Sequence, residues 1–453
     1  MNLWQYVREK MMEYPEQVLC EGNASITYKE ICELVEKNAK ELKGDSYAIL
    51  CKSELIAAIA LLSCIAADKP VVPLPTRYGP EVYQKILERS KVSSVITDIG
   101  GNVSEYNTGN SINPDAFFNT AVILFTSGST GEPKGVRLSH DNLISNIADI
   151  CVYFDINRED TILISRPIFH SSVLTGEFFV SLCKGTKIVF LSEAFNPSII
   201  LSALNEYSVT VFGSTPTLMS TLSSFIRSDI ASSVRKLSIS GECITEGMAK
   251  KIRKAFPAAD IYCGYGLSEA SPRVAFLPPN LFDINPTCAG IPLQSLSIRI
   301  VNDKGEDVLM DEVGELIVRG PNVMQGYFDD KNKSDSVLID GYLHTGDLAC
   351  YDAYGLLYIK GRKDDMMICA GMNIYPAEIE NALSTDKRIS SVVASGYLHN
   401  GIQKISLEVC GDFSGREEIV ELCKEKLPKY QMPSKITFSN EPSVRCGGKI
   451  RRR

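Results

Sequence analysis

None of the fourteen cysteines forms a Cys-x-x-Cys pair with another, which argues against a zinc site or a dithiol redox motif. No secretory-type segment is read at the start of the chain, so the thiols are expected to be reduced and the protein cytoplasmic. Long hydrophobic runs are also missing. The longest, Leu55 to Ala67, is interrupted by Ser63 and falls short of the ~20 apolar residues that a membrane span needs. It reads as a buried helix. Positive charge is in short supply: 47 Lys+Arg stand against 55 Asp+Glu, giving a formal charge of −8. The basic cluster that exists runs from Lys449 to Arg453, so a nucleic-acid role is excluded as the reading. Internal repeats and low-complexity tracts are absent.

What is present is a chain of 453 residues with 44% hydrophobic content, more than one core usually covers, so two or three domains are expected. Short β-branched runs recur at Val95-Ile96-Thr97, Ala121 to Phe125, Ile188 to Leu191, Thr210-Val211-Phe212 and Leu237-Ser238-Ile239, with helical stretches between them. Such alternation predicts largely parallel sheets covered by helices, an α/β class. Ser139 is placed to cap a helix with Leu143, Ile144, Ile147 and Ala148 on one face, following a Gly-rich loop closely. From about residue 284 the strands become shorter and alternating, joined by Asp303-Lys304-Gly305 and Asp352-Ala353-Tyr354-Gly355 turns, which suggests an antiparallel subdomain. The polar break Gly361-Arg362-Lys363-Asp364-Asp365 marks a domain boundary. Beyond it a small α+β domain is expected, with a helix opened by Pro376 and carrying Glu378 in its first turn.

The loop Thr126-Ser127-Gly128-Ser129-Thr130-Gly131-Glu132-Pro133-Lys134-Gly135 follows an apolar strand. Its glycines let consecutive N–H groups turn toward one anion, its hydroxyls add donors and Lys134 adds charge, so it reads as a phosphate grip. It is not a Walker loop, because Gly131 is followed by Glu132-Pro133-Lys134 rather than Lys-Ser/Thr. Tyr265-Gly266-Leu267-Ser268-Glu269 offers an aromatic plate, a glycine for close approach, a hydroxyl and a carboxylate suited to Mg²⁺. His344-Thr345-Gly346-Asp347 is either a ribose-holding carboxylate or the commoner plain turn. Arg362 could add a guanidinium nearby, and Lys449 in isolation reads as a solvated tail lysine.

Taken together, these segments resemble the adenylate-forming, or acyl-activating, ligases, which include acyl-CoA synthetases, the adenylation domains of peptide synthetases, and firefly luciferase. The resemblance runs through Val71 to Leu74, residues 126–135, Tyr265 to Glu269, Gly314 to Gly320, His344 to Asp347, Gly361 to Glu380, and Gly448-Lys449. It implies a large N-terminal domain, residues 1–361, of two α/β subdomains plus a β-subdomain, and a small mobile C-terminal domain, 364–453, hinged near Asp364. It further implies an ATP- and Mg²⁺-dependent ligase that converts a carboxylic acid to its acyl-adenylate with release of pyrophosphate, then transfers the acyl group to a thiol. Thr126, Ser127, Gly128, Ser129, Thr130, Gly131 and Lys134 would hold the β- and γ-phosphates. Tyr265, with Gly266 and Ser268 beside it, would stack on adenine, Gly241, Glu242 and Cys243 would line its pocket, and Glu269 would bind Mg²⁺. Asp347 and Arg362 would fix the ribose. Lys449 would stabilise charge on the acid carboxylate and α-phosphate, and the domain swing would then bring residues 366–374 to the site. Retention of Lys134, Glu269, Asp347 and Lys449 together speaks against a nucleotide-binding protein that has lost catalysis.

His170 stands where amino-acid-activating members of the family place an aspartate for the substrate ammonium. A buried pocket lacking that carboxylate should reject a zwitterion, so a non-amino acid, aryl or short- to medium-chain, is expected. Phe212 to Pro216, Ser240-Gly241 and Cys263-Gly264 are expected to line its pocket. The thiol-channel segment has Ala370-Gly371-Met372-Asn373 where acyl-CoA ligases usually carry Gly-Gly-Glu-Asn. The added methyl keeps open the alternative to CoA, the phosphopantetheine of a separate acyl carrier protein.

Overall fold

Two large sheets grow from the β-branched runs. The computed structural model describes the chain apart from residues 75, 77–78, 100–101, 111–116, 128–132, 193–195, 227–232, 370–371, 400–401 and 440–453. One sheet has seven strands in the order Gly326–Tyr327, Pro133–Leu138, Val122–Ser127, Val71–Pro73, Tyr47–Leu50, Ser94–Thr97 and Ser104–Asn107. The other has nine, in the order Ile291–Pro292, Arg273–Leu277, Asp260–Gly266, Lys236–Ser240, Val211–Ser214, Thr161–Ile164, Lys187–Phe190, Val18–Glu21 and Ala24–Thr27. Six neighbouring strands of this second sheet, from 260–266 to 18–21, are parallel. The carboxyl ends of 211–214, 236–240 and 260–266 therefore open on one edge, where ligands bind in open α/β sheets. The α/β class read from the sequence is the class observed.

Helix Glu54–Ala66 is the apolar run expected to be buried, and it is buried nearly all round, with Ala58, Leu61, Leu62, Cys64 and Ile65 inaccessible or nearly so. A helix without a polar face has to be covered on every side. Its N-terminus is held twice: the Ser53 hydroxyl accepts from Ile56 N at 3.1 Å, and the Glu21 carboxylate accepts from Glu54 N at 3.0 Å. Helix His140–Tyr153 starts with a capping box between Ser139 and Asn142, and Leu143 and Ile147 are fully buried. A return strand precedes it. Residues Pro133–Leu138 first return as a strand antiparallel to Val122–Ser127, because Val136 and Leu138 alternate inward with Arg137 between them. The Gly-rich segment thus joins two antiparallel strands rather than a strand and a helix.

The opposite edge of the parallel sheet is pinned by one carboxylate. Asp160, whose side chain is fully buried, accepts from Thr210 Oγ1 at 2.6 Å, Arg235 Nη2 at 2.8 Å and Lys236 Nζ at 3.3 Å. These four residues precede or begin strands 161–164, 211–214 and 236–240. Burial alone would raise the Asp160 pKa, yet the Thr210 bond and the two cations hold it below the usual carboxylate range. Asp160→Ala leaves the Lys236 ammonium buried without that partner, and is expected to destabilise the fold by about 3 kcal/mol. Because the folded-state pKa is depressed, this contribution is present above the ordinary Asp range and is lost as pH falls through the lowered value. Denaturant midpoints of variant and parent should therefore converge in acid, and a gap that persists there would contradict the assignment.

Strands Ser297–Val301, Gly314–Arg319, Tyr342–Tyr351 and Leu357–Arg362 form an antiparallel sheet, matching the change of texture near residue 284. Beyond Arg362, helix Pro376–Ser384, the hairpin Ile389–His399 and Ile402–Gly411, helix Arg416–Lys426 and strand Lys435–Phe438 enclose a separate apolar cluster that includes Ile379, Leu383, Leu407, Ile419 and Cys423. This unit touches the larger part where Asn381 Oδ1 accepts from Glu246 N at 2.9 Å.

Candidate active site

The hairpin brings Thr126 opposite Lys134 and Ser127 opposite Pro133. Gly128, Ser129, Thr130 and Gly131, at its tip, lie outside the described residues. Lys134 holds its ammonium 5.9 Å from the ring centroid of Tyr327, within cation–π range. The Tyr327 hydroxyl in turn donates to Glu269 Oε1 at 2.9 Å. Burial and the Glu269 charge push the Tyr327 pKa up, so this phenol remains a donor at any physiological pH. Glu269 sits in a short 3-10 turn, Ser268–Ala270, that follows strand Asp260–Gly266 across a bulge at Tyr265/Gly266. Gly266 is required there by the backbone, since a Cβ would collide with the Pro272 carbonyl.

Asp347 gathers a second group. Its Oδ2 accepts from the Tyr265 hydroxyl at 2.5 Å and its Oδ1 from Arg362 Nη1 at 3.0 Å, while the same Nη1 donates to Thr345 O at 2.9 Å. The Asp347–Arg362 pairing follows from strand register, because the two residues are directly opposite in the antiparallel pair 342–351 and 357–362. Gly346 lies at φ +69, a conformation glycine adopts without strain, and Asp347 N donates to Thr345 Oγ1 at 3.0 Å. Burial and the neighbouring Asp347 charge lift the Tyr265 hydroxyl well above the usual phenol range. Burial would lower the Arg362 pKa, but the Asp347 carboxylate outweighs it and holds the guanidinium charged. With 7% of Asp347 exposed against 55% of the Arg362 side chain, the arginine is the member that reaches solvent.

His170 precedes a helical turn that runs into a π-helix, Leu174–Phe179, and its ring lies 4.5 Å from that of Phe169. Ser171 Oγ meets Ser268 Oγ at 3.0 Å, so the segment expected to select the acid touches the segment expected to hold adenine and metal. Gly241 turns the chain at φ +98 after strand Lys236–Ser240. The Glu242 carboxylate accepts from Thr217 Oγ1 at 2.5 Å, which ties the expected adenine lining to helix Pro216–Ser223. Cys243 and Asp364 are exposed. Ala370, Gly371 and Lys449 lie outside the described residues. The sequence reading missed Tyr327 and Thr217, neither of which belongs to a recognisable motif, and gave no role of its own to Thr345 within His344 to Asp347. Tyr327 could have been found only by knowing that Gly326–Tyr327 pairs with strand Pro133–Leu138.

A family model described as AMP-binding enzyme matches residues 103–328, a span that holds the hairpin, His170, Tyr265, Glu269 and Tyr327. The chain belongs to this family. A feruloyl-CoA synthase from Amycolatopsis sp. is 28% identical over 477 residues, covering 99% of this chain and 96% of the relative. The structure of o-succinylbenzoate coenzyme A synthetase from Bacillus subtilis with ATP and magnesium ion superposes with a TM-score of 0.83 at 26% identity, covering 98% of both chains. The same enzyme in complex with its acyl-adenylate intermediate gives a TM-score of 0.83 at 26% identity, over 98% of this chain and 96% of that one. The AMP-binding family expected from the sequence is therefore borne out, as is its α/β architecture. Among the described residues no helix is long and apolar enough to cross a membrane.

The described residues contain no cluster of three or more His, Cys, Asp or Glu able to hold a metal by themselves. Mg²⁺ needs less than that, since it is commonly held by one or two carboxylates together with substrate phosphates. A carboxylate has about four acceptor positions, and Tyr327 engages one on Glu269, so this side chain fits such a role.

Proposed function

We infer that this protein is an ATP-dependent acid–thiol ligase, activating a non-amino carboxylic acid as its acyl-adenylate and passing the acyl group to the thiol of coenzyme A. The observation that carries the reading is the Tyr265–Asp347–Arg362 cluster beside Glu269 in an AMP-binding fold. A buried carboxylate flanked by a phenol and a guanidinium is suited to a ribose diol next to a purine ring. Relatives named as CoA ligases support the thiol acceptor, and the carrier-protein alternative gains nothing from them.

In this reading the hairpin donors and Lys134 hold the β- and γ-phosphates, Tyr265 carries the adenine, and Asp347 with Arg362 carries the ribose. Mg²⁺ on Glu269 would neutralise phosphate oxygens. The acid carboxylate forms a bond to the α-phosphorus as the bond to pyrophosphate breaks, with Lys449 offsetting the charge on both. In the second step the thiolate sulfur bonds to the acyl carbon and AMP leaves. Swinging of residues 364–453 about exposed Asp364 exchanges Lys449 for the segment 366–374, which allows one cavity to serve both steps.

Pyrophosphate exchange into ATP across a broad panel of carboxylic acids tests the first half-reaction, and failure with every acid would count against the ligase reading. Addition of CoA or a phosphopantetheinylated carrier then identifies the acceptor. Glu269→Gln is expected to raise the Mg²⁺ concentration for half-maximal exchange by about tenfold or more, and Tyr327→Phe to do so less, as for residues that orient a metal ligand. An unchanged Mg²⁺ dependence in Glu269→Gln would remove that residue from the metal site.

A further inference from the structure

The sheet edge expected to line the acid pocket is not apolar. Gly213 lies opposite Ser238, and Ser240 opposite Gly264, in the parallel strands 211–214, 236–240 and 260–266. Side chains alternate along a strand, so these residues share one face, while Phe212, Leu237, Ile239 and Cys263 turn to the apolar cluster on the other. Over this small, polar face lie three buried charges: Arg166, Glu177 and Arg273, with 9%, 1% and 3% exposure. The glycines make room for them. A Cβ on Gly213 would collide with the Glu177 carboxylate, one on Gly264 with the Arg273 guanidinium, and one on Gly176 would stand 3.1 Å from Arg273 Nη2.

Glu177 and Gly176 belong to the π-helix Leu174–Phe179, a distortion that recurs at functional sites. Glu177 is paired with Arg166, which also reaches Ser172 Oγ at 3.5 Å, two residues from His170. That pair is neutral overall. Arg273 is different. The neighbouring Tyr153 phenol, its pKa raised by burial, brings no charge, the Arg273 Nε has no partner, and among the described residues no carboxylate forms an ion pair with it. Its backbone is clamped from two sides: Asn146 Oδ1 accepts from Arg273 N at 3.1 Å, and Asn146 and Asn322 donate to Arg273 O at 2.8 and 2.9 Å. Both asparagines are fully buried. A guanidinium held this rigidly and this deep, with no neutralising anion among the described residues, is costly unless a ligand supplies one.

Resting on the ligase reading above, we propose that Arg273, steadied by the neutral Arg166–Glu177 pair, selects the acid, and that the acid carries a second carboxylate which pairs with this guanidinium. The charged floor shortens a pocket that would otherwise take a plain aryl or alkyl tail. A monocarboxylic acid of equal length leaves Arg273 buried and unpaired.

The test is ATP–pyrophosphate exchange with dicarboxylic acids, aliphatic and aryl, each matched to the monocarboxylic acid of the same skeleton. The parent enzyme is expected to favour the best diacid over its matched monoacid by about 30-fold in kcat/KM, as for a hydrogen-bonded charge worth about 2 kcal/mol. Arg273→Met should abolish that preference by losing the diacid while keeping or gaining the monoacid, with ATP binding unchanged. Arg273→Lys should retain part of it. Exchange with monoacids as good as or better than their diacids in the parent enzyme would overturn the proposal and leave the ligase reading standing, whether or not Arg273→Met folds. Exchange with no acid at all would overturn both.

Discussion

Lys449→Ala is expected to bind ATP normally and to form acyl-adenylate about 10²–10³ times more slowly, the usual effect of deleting one preorganised charge at a transition state. The reason is local. Charge builds on the α-phosphate oxygens as carboxylate oxygen attacks and pyrophosphate departs, and an ammonium brought into a water-poor site is worth far more there than in bulk solvent. Single-turnover pyrophosphate release measures the step, and nucleotide binding by titration separates it from a loss of affinity. The thioester step, started from a chemically supplied acyl-adenylate, should run at the parent rate, because the proposed domain swing would withdraw Lys449 from it. Unchanged adenylation in the variant would remove the lysine from the mechanism.

Asp347→Asn is expected to raise KM for ATP on the order of 10²-fold, from the loss of charge-assisted bonds to a buried carboxylate. The asparagine keeps the volume and can still accept from Tyr265, so the fold should survive. Two nucleotides make the test specific. The parent should discriminate strongly between ATP and 2′,3′-dideoxy-ATP, and the variant hardly at all. If both nucleotides weakened equally in Asp347→Asn, the residue would be supporting Tyr265 and Arg362 rather than holding the sugar.

How far the site could be read from the chain varies residue by residue. The Pro376 helix was legible because a helix-opening proline heads a contiguous run, and the loop 126–135 and Tyr265 to Glu269 could be proposed as site segments from their residue types and order. Asp347 was ambiguous, since a Gly-Asp pair is most often a turn; only its register with Arg362 and its contact with Tyr265, 82 residues away, give it a partner. Tyr327 left no local signal at all. It reaches Glu269 from 58 residues away because a two-residue strand docks on the hairpin, and pairings across such distances are not encoded in any short window. Helix His140–Tyr153 begins at the expected Ser139 cap, but the strand before it was not read, for a related reason. Pro133 to Leu138 is rich enough in turn-like residues at its start to hide a return strand, and the pairing with Val122–Ser127 decides it.

The charged floor shows the same division most clearly. Arg166, Glu177 and Arg273 are dispersed in sequence and drew no role from it, while of the glycines 213 and 264 fell in segments expected to line the acid pocket and 176 in none. Composition, periodicity and motif order determined by themselves that the chain is an α/β protein with an antiparallel addition and that it resembles adenylate-forming ligases, because those properties follow from local propensity and from contiguous segments. Which charges lie buried over which glycines was decided only by the tertiary structure, since clearance and desolvation depend on surfaces that meet solely when the sheet, the π-helix and the 273–277 strand are packed together.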